Sequence, residues 1–240
     1  MYMIQSKYKR VLFKLSGEAL SAPGKTLDYD KVDQVAEVLA QIAASGVQMG
    51  LVVGGGNIFR GRSSGDMNRT DADHMGMLAT VINALALKDA LTRMGAKAAV
   101  LSAIEMYQVC EPFAQRDAIA RLERGEIVIF AAGTGRPYFS TDTASALRAL
   151  EIGADVMLCG KKCDGVYDKD PAKYPDAVRY DTLTYKKVLD GHLDALDQAA
   201  IVMCRDYREG GLPIFVFALN EPHNLIDAIE GRVTGTVISQ

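Results

Sequence analysis

Cysteine, histidine and surplus positive charge are all scarce in this chain of 240 residues, and each shortage removes a class of protein. Cys110, Cys159, Cys163 and Cys204 are too few for a disulfide framework at this length, and no pair has a zinc-ligand spacing such as CxxC. Cys159 and Cys163 flank a predicted strand end and read as packing residues. The three histidines form no motif that suggests a catalytic base. Net charge is −3, from 27 basic and 30 acidic side chains mixed along the chain, so there is no basic stripe for nucleic acid to use. The start of the chain lacks the apolar core of a signal peptide, and the longest apolar stretch, Leu78 to Leu87, is interrupted by Asn83 and ends at Lys88. The expectation is a soluble, cytoplasmic chain with neither nucleic acid nor membrane as a partner.

What remains is a chain long enough to bury roughly 70 to 75% of its unfolded surface, with apolar runs alternating with amphipathic stretches. Arg10 to Leu15, Val47 to Val53, Lys97 to Leu101, Ile127 to Ala131, Asp155 to Cys159 and Pro213 to Leu219 read as strands. Helices are predicted over Tyr29 to Ser45, Asp71 to Met94, Asp142 to Leu150 and Leu196 to Tyr207. The second is the longest, with Met75, Leu78, Val81, Ile82, Leu85, Leu91 and Met94 at helical spacing and Thr70 with Asp73 as a capping box. This βαβ alternation predicts an α/β fold, a mostly parallel central sheet sandwiched between helices. A weak boundary near residues 151–155 divides one domain, residues 1–240, into lobes of about 1–152 and 153–240.

Gly54, Gly55 and Gly56 follow directly on a predicted buried strand, so side chains are absent where the backbone turns and its amides can approach an anion. Polar clusters also follow other strands: Lys14 to Glu18, Gly54 to Arg62, Gly133 to Asp142 and Lys161 to Asp170. In open α/β sheets such clusters converge on a crevice at the carboxyl ends of the strands. Lys14 lies inside an apolar strand and needs an anionic partner unless that strand is an edge. Two familiar nucleotide signatures fail. Gly24-Lys25-Thr26 lacks the earlier P-loop glycine, position 19 being Ala19, and the partial GxGxxG patterns end at Phe59 and Tyr138. Between Gly133 and Asp142, hydroxyls, backbone groups and two aromatic rings suit a planar polar ligand, while Thr141 would serve equally as a helix cap. Asp73 reads either as a ribose ligand or as a first-turn carboxylate facing the helix dipole.

Lys14-Leu15-Ser16-Gly17-Glu18-Ala19-Leu20, Gly54-Gly55-Gly56-Asn57-Ile58-Phe59-Arg60-Gly61, Asp73-His74-Met75-Gly76-Met77-Leu78-Ala79-Thr80, Gly133-Thr134-Gly135 and Asp164-Gly165-Val166-Tyr167 resemble, in order and over nearly the whole chain, the bacterial uridylate kinases of the amino acid kinase superfamily. The resemblance implies transfer of the γ-phosphoryl group of ATP to UMP, with Mg²⁺, on a homo-hexamer. It places UMP on Gly55, Asp73 and the loop Thr134, Gly135, Arg136, Pro137, Tyr138, Phe139, Ser140 and Thr141, with the ribose on Asp73 and the uracil on the loop. Lys14, Leu15, Ser16, Gly17, Gly56 and Arg60 would hold the ATP phosphates, and Lys161, Tyr167 and Asp170 would line the adenine-nucleotide side. Lys162 matches a second phosphate-side lysine, and Asp197 an aspartate that orients both lysines. Catalysis would thus fall to Lys14, Arg60, Lys162 and Asp197. Gly160-Lys161-Lys162-Cys163 departs from the usual Ala-Thr-Lys-Val of the family, a cation replacing a hydroxyl at Lys161. The alternatives are a kinase of the same fold acting on a carboxylate or carbamate, and a non-catalytic nucleotide-binding protein on this scaffold.

Overall fold

The computed structural model describes residues 4–61 and 65–240. Arg62, at the end of one polar cluster, lies outside the described residues. The strands are β1 (Arg10–Leu15), β2 (Gln48–Val53), β3 (Ala98–Ser102), β4 (Glu111–Pro112), β5 (Ile127–Ala131), β6 (Val156–Lys161), β7 (Val166–Tyr167), β8 (Arg179–Tyr180), β9 (Thr182–Thr184), β10 (Ile214–Ala218) and β11 (Gly235–Ser239). The helices are α1 (Tyr29–Ala44), α2 (Arg69–Arg93), α3 (Gln115–Glu123), α4 (Thr141–Glu151), α5 (Tyr185–Asp190), α6 (Gln198–Asp206) and α7 (Asn224–Glu230), with a short 3₁₀ turn at Gly17–Leu20. All six expected strands and four expected helices form, with ends shifted by at most a few residues.

Nine strands make one sheet in the order β4-β3-β5-β2-β1-β6-β10-β11-β9, and β7 and β8 form a separate hairpin. Pairing in the large sheet is parallel except between β10 and β11. Strands before residue 132 lie on one side of the β1/β6 junction and those after residue 155 on the other, so the strand order reverses there. A crevice opens at the carboxyl ends of strands at such a point.

Side-chain alternation along β1 explains the two layers. Val11, Phe13 and Leu15 pack into a core with α1, α2 and α7, whereas Leu12 faces a second core with α3, α4, α5 and α6. Period-two alternation puts Lys14 on the α4 side with Leu12. β1 is paired on both flanks, by β2 and β6, so the edge-strand alternative for Lys14 fails. Cys159 is buried in the second core, where desolvation pushes its thiol up to about 12 and keeps it protonated.

Helix α2 departs from its predicted pattern. Of the seven apolar residues read at helical spacing, Val81 and Leu91 are buried, while Met75, Leu78, Ile82 and Met94 are exposed. The buried face also carries Ala72, Met77, Ala79, Thr80, Asn83, Ala84, Leu87 and Ala90, and its four alanines let the helix lie close to the sheet. By length and composition alone this helix could cross a membrane; half of its most apolar window is buried inside the protein. Its cap is Asn68, whose side chain accepts from the Thr70 and Asp71 amides, in place of the expected Thr70/Asp73 box. At α4 the cap is Ser140, accepting from the Thr143 amide at 3.1 Å, with Thr141 as the first helical residue.

Candidate active site

A cleft of about 770 Å³ opens over the carboxyl ends of β1 and β2. Among the residues around it are Lys14, Ser16, Gly17, Gly55, Gly56, Arg60, Asp73, Thr134, Arg136, Tyr138, Phe139, Ser140, Thr141 and Asp197. Three of the four polar clusters, Lys14 to Glu18, Gly54 to Arg62 and Gly133 to Asp142, therefore contribute to one cleft, whereas the fourth, Lys161 to Asp170, supplies none of the residues around it.

The glycine turn is built for close approach. A Cβ on Gly17 would overlap Asn57 Oδ1 and the Gly54 carbonyl, and one on Gly55 would sit 2.8 Å from Ala79 Cβ and 2.9 Å from the Gly76 carbonyl. Glycine is needed there because backbone packs on backbone and on α2; none of Gly54, Gly55 and Gly56 has a positive φ. The Gly54 amide is spent on the Leu15 carbonyl at 2.9 Å. That leaves the Gly55 and Gly56 amides as the donors an anion could meet at this turn. Asn83, fully buried on α2, locks the turn, donating to the Gly54 carbonyl at 2.7 Å and to Asn57 Oδ1 at 2.8 Å. Asn57 in turn donates to the Thr26 carbonyl at 2.8 Å.

Lys14 enters the cleft from the central strand with its side chain 13% exposed, and its Nζ lies 3.0 Å from Asp142 Oδ1 in the first turn of α4. Burial alone would lower its pKa, but the Asp142 carboxylate, helped more weakly by Asp197, outweighs burial and leaves it raised. The ammonium is therefore charged at neutral pH. Asp142 is the site residue that sequence reasoning missed; it figured only as the end of a polar loop. No local pattern signals its pairing with Lys14, because the contact exists only once α4 packs across β1.

Asp197 does not perform the orienting role that the resemblance suggests by direct contact. It caps α6, accepting from the Ala200 amide at 2.8 Å, and also accepts from the hydroxyls of Ser140 and Thr143. It thus joins α6 to the start of α4 and reaches Lys14 only through its charge. Lys162, 84% exposed, pairs with Glu18 Oε2 at 2.7 Å, and the same Glu18 carboxylate accepts from Arg60. Lys161 is turned away, donating to the Ala195 carbonyl.

On the opposite wall, Asp73 holds the acceptor loop. Its carboxylate takes both oxygens to Arg69 Nε at 2.9 Å and accepts from the Tyr138 amide at 2.8 Å. Because α2 starts at Arg69, its first-turn acid is Asp71, and the reading of Asp73 as a first-turn carboxylate fails. Tyr138 has φ of 72°, unfavourable for a side chain of its size, and the Arg69 guanidinium lies 5.4 Å from its ring centroid. The rings of Tyr138 and Phe139 stay exposed at the rim. Gly135, with φ of 73°, passes within 2.7 Å of the Ala103 carbonyl at its would-be Cβ, and lines a neighbouring hollow with Arg136. Pro137 completes the turn half-buried, and Leu15 is a core residue that can offer only its backbone.

The remaining expected residues stand apart from the main cleft. The Tyr167 hydroxyl donates to Asp164 at 2.7 Å, and Asp164 pairs with Arg179 at 3.0 Å. Asp170 caps its own turn, accepting from the Ala172 amide at 3.0 Å.

Residues 9–218 match the model of the amino acid kinase family. The chain is 50% identical over 239 residues to the uridylate kinases of Xanthomonas oryzae pv. oryzae and Xanthomonas axonopodis pv. citri, with 98% of each chain covered. Among solved structures it is similar to UMP kinase from Bacillus anthracis, with a TM-score of 0.91 and 36% identity over 97% of this chain and 98% of the other. UMP kinase from Ureaplasma parvum superposes equally well, with a TM-score of 0.91 and 34% identity over 98% of this chain and 100% of that one.

Proposed function

Because this chain belongs to the amino acid kinase family, with uridylate kinases as its relatives, we propose that it transfers the γ-phosphoryl group of ATP to UMP, giving UDP and ADP for pyrimidine nucleotide biosynthesis. One observation carries the reading: Lys14, the glycine turn and the Asp73-anchored acceptor loop share a single cleft. A carboxylate or carbamate kinase would have little use for the exposed Tyr138 and Phe139 rings at the rim, whereas a nucleobase can lie against them.

The acceptor oxygen of UMP is already ionised near neutral pH, so no general base is required. The protein has to align two phosphorylated molecules and neutralise charge through a loose transition state. Lys14 supplies a charge fixed by Asp142, Arg60 and Lys162 supply charges with exposed, adjustable side chains, and the Gly55 and Gly56 amides supply donors. Asp73 would accept from the ribose hydroxyls, with Gly55 and residues 134–141 around the uracil and UMP phosphate. Lys14, Leu15, Ser16, Gly17, Gly56 and Arg60 would receive the ATP phosphates, and Tyr167 and Asp170 the adenine nucleoside. Lys161, engaged by the Ala195 carbonyl, would support the loop beside that nucleoside.

Magnesium would arrive as the MgATP complex. Among the described residues no three acidic, histidine or cysteine side chains gather as a metal cage. The residues present fit an ion carried on phosphate oxygens and water. The ion's contribution is to neutralise the charge on those oxygens.

The reading extends to a cytoplasmic homo-hexamer, in two lobes of about 1–152 on the UMP side and 153–240 on the ATP side. The apolar stripe Met75, Leu78 and Ile82 on α2 supports self-association, since solvent is a poor partner for it. Sedimentation of Ile82→Asp should show smaller particles than the wild type.

The activity is tested by measuring ADP release from MgATP with UMP, CMP, dUMP, glutamate, aspartate and carbamate as separate acceptors. UMP should be the preferred acceptor. Turnover confined to an amino acid or carbamate would overturn the assignment.

A further inference from the structure

Glu18 lies at the start of the 3₁₀ turn, directly after Gly17, and its carboxylate bridges two cations. One of its oxygens accepts from Arg60 Nη2, and the other lies 2.7 Å from Lys162 Nζ. Arg60 comes from the loop after β2, and Lys162 follows β6, so the bridge crosses the end of the sheet on both sides of β1.

Resting on the reading that Arg60 and Lys162 receive the ATP phosphates, we propose that Glu18 is a built-in competitor for those phosphates. Its carboxylate takes the same donors that a β- or γ-phosphate would take, and it hands them over when the nucleotide binds. It thereby sets how tightly ATP is held and how readily ADP leaves.

Three observations favour competition over support. Arg60 does not depend on Glu18 for its position, because its Nε donates to the Gly56 carbonyl at 3.1 Å while Nη2 faces the carboxylate. One nitrogen anchors the guanidinium and another is left to exchange partners. The side chains of Arg60 and Lys162 are 59% and 84% exposed, so their pairs with Glu18 are weak and break at little cost. Glu18, at 25% exposure on a turn capped by Ser16, is the more constrained member, so the cations rather than the carboxylate change partner. A phosphate of higher charge outcompetes a single carboxylate, and the carboxylate, left close to it, repels it.

The test measures equilibrium binding of AMP, ADP and ATP to wild type, Glu18→Gln and Glu18→Asp, without UMP. Glutamine keeps the size of the side chain and removes the charge. Glu18→Gln should tighten ADP and ATP by about three- to tenfold, the scale of two exposed ion pairs, and AMP by less than about twofold, since AMP lacks the outer phosphates. ADP dissociation should slow by a similar factor. Aspartate, one methylene shorter, should reach only one of the two cations and give an intermediate tightening. Weaker ATP binding by Glu18→Gln, or an equal change for AMP and ATP, would overturn the proposal. Arg60→Ala and Lys162→Ala go through the same assay. If neither weakens ATP, the phosphate assignment itself fails; if both do and Glu18→Gln brings no tightening, only the competitor role falls.

Discussion

Lys14 and Lys162 bring the same charge to the same end of the sheet and are held in opposite ways. Lys14 projects from a strand paired on both flanks, is 13% exposed, and is pinned 3.0 Å from Asp142. Lys162 follows the end of β6, is 84% exposed, and meets one carboxylate on a short 3₁₀ turn. Burying an ammonium carries a desolvation cost that a close carboxylate must offset, and in return the charge has little freedom left to lose when a phosphoryl group arrives. An exposed lysine avoids that cost, keeps its rotamers and can follow its ligand. The cleft thus combines one fixed charge with others that adjust.

Lys14→Ala should break this comparison most severely. Turnover should fall by at least ~100-fold, on the scale of losing one preorganised charge contact, with the fold intact by circular dichroism. Lys162→Ala should cost clearly less in kcat and act more on the KM for ATP. Equal kcat losses would mean that burial confers no advantage on Lys14.

Asp142→Asn sharpens the same contrast by leaving Lys14 buried without its counter-charge. We expect stability to fall by roughly 2–3 kcal/mol in chemical denaturation, somewhat below the cost for a fully buried pair. The pH dependence supplies a second check. The folded pKa of Lys14 is raised above its ordinary 10.5. The pair's contribution is therefore fully present below about pH 10.5 and is lost as pH climbs through the higher folded value. Wild type should lose this stability on the alkaline side, and Asp142→Asn should show little of that loss.

Asp73→Asn probes the other wall. KM for UMP should rise about tenfold while KM for ATP changes little, as expected when a charged hydrogen-bond acceptor is lost. Equal shifts for both substrates would reduce Asp73 to an anchor for the Tyr138 amide. The smallest effect is expected for Ser140→Ala, which removes the α4 cap and one partner of Asp197. A stability loss of about 1 kcal/mol should be accompanied by a rise in KM for UMP smaller than that of Asp73→Asn.

Much of the frame was legible because it is local. Short apolar runs placed β1 and β5 at their observed bounds, and a charge inside an apolar strand marked Lys14. Where the reading went astray, a local signal had two interpretations. Met75, Leu78 and Ile82 have core-like spacing but face outward on α2, because the small residues Ala79, Ala84 and Ala90 form the face that lies on the sheet. Asn68 and Ser140 displaced the expected caps by a residue or two, within the range where several polar side chains compete for the same amides. Of the elements left unassigned, α5, α7, β4, β7, β8 and β9 are too brief for periodicity to declare them, whereas α3 and β11 are as long as the predicted α6 and β3 and were simply not read.

Apolar runs, glycine placement and a lysine inside the apolar run of β1 sufficed to determine an α/β sheet with a glycine-lined crevice, since each depends on residues adjacent in the chain. Which carboxylates meet Lys14 and Lys162 was decided by tertiary structure alone. Asp142 reaches Lys14 because α4 crosses β1, and Glu18 reaches Lys162 because β6 lies beside β1. Coulombic partners are chosen by distance in space, which sequence separation does not encode.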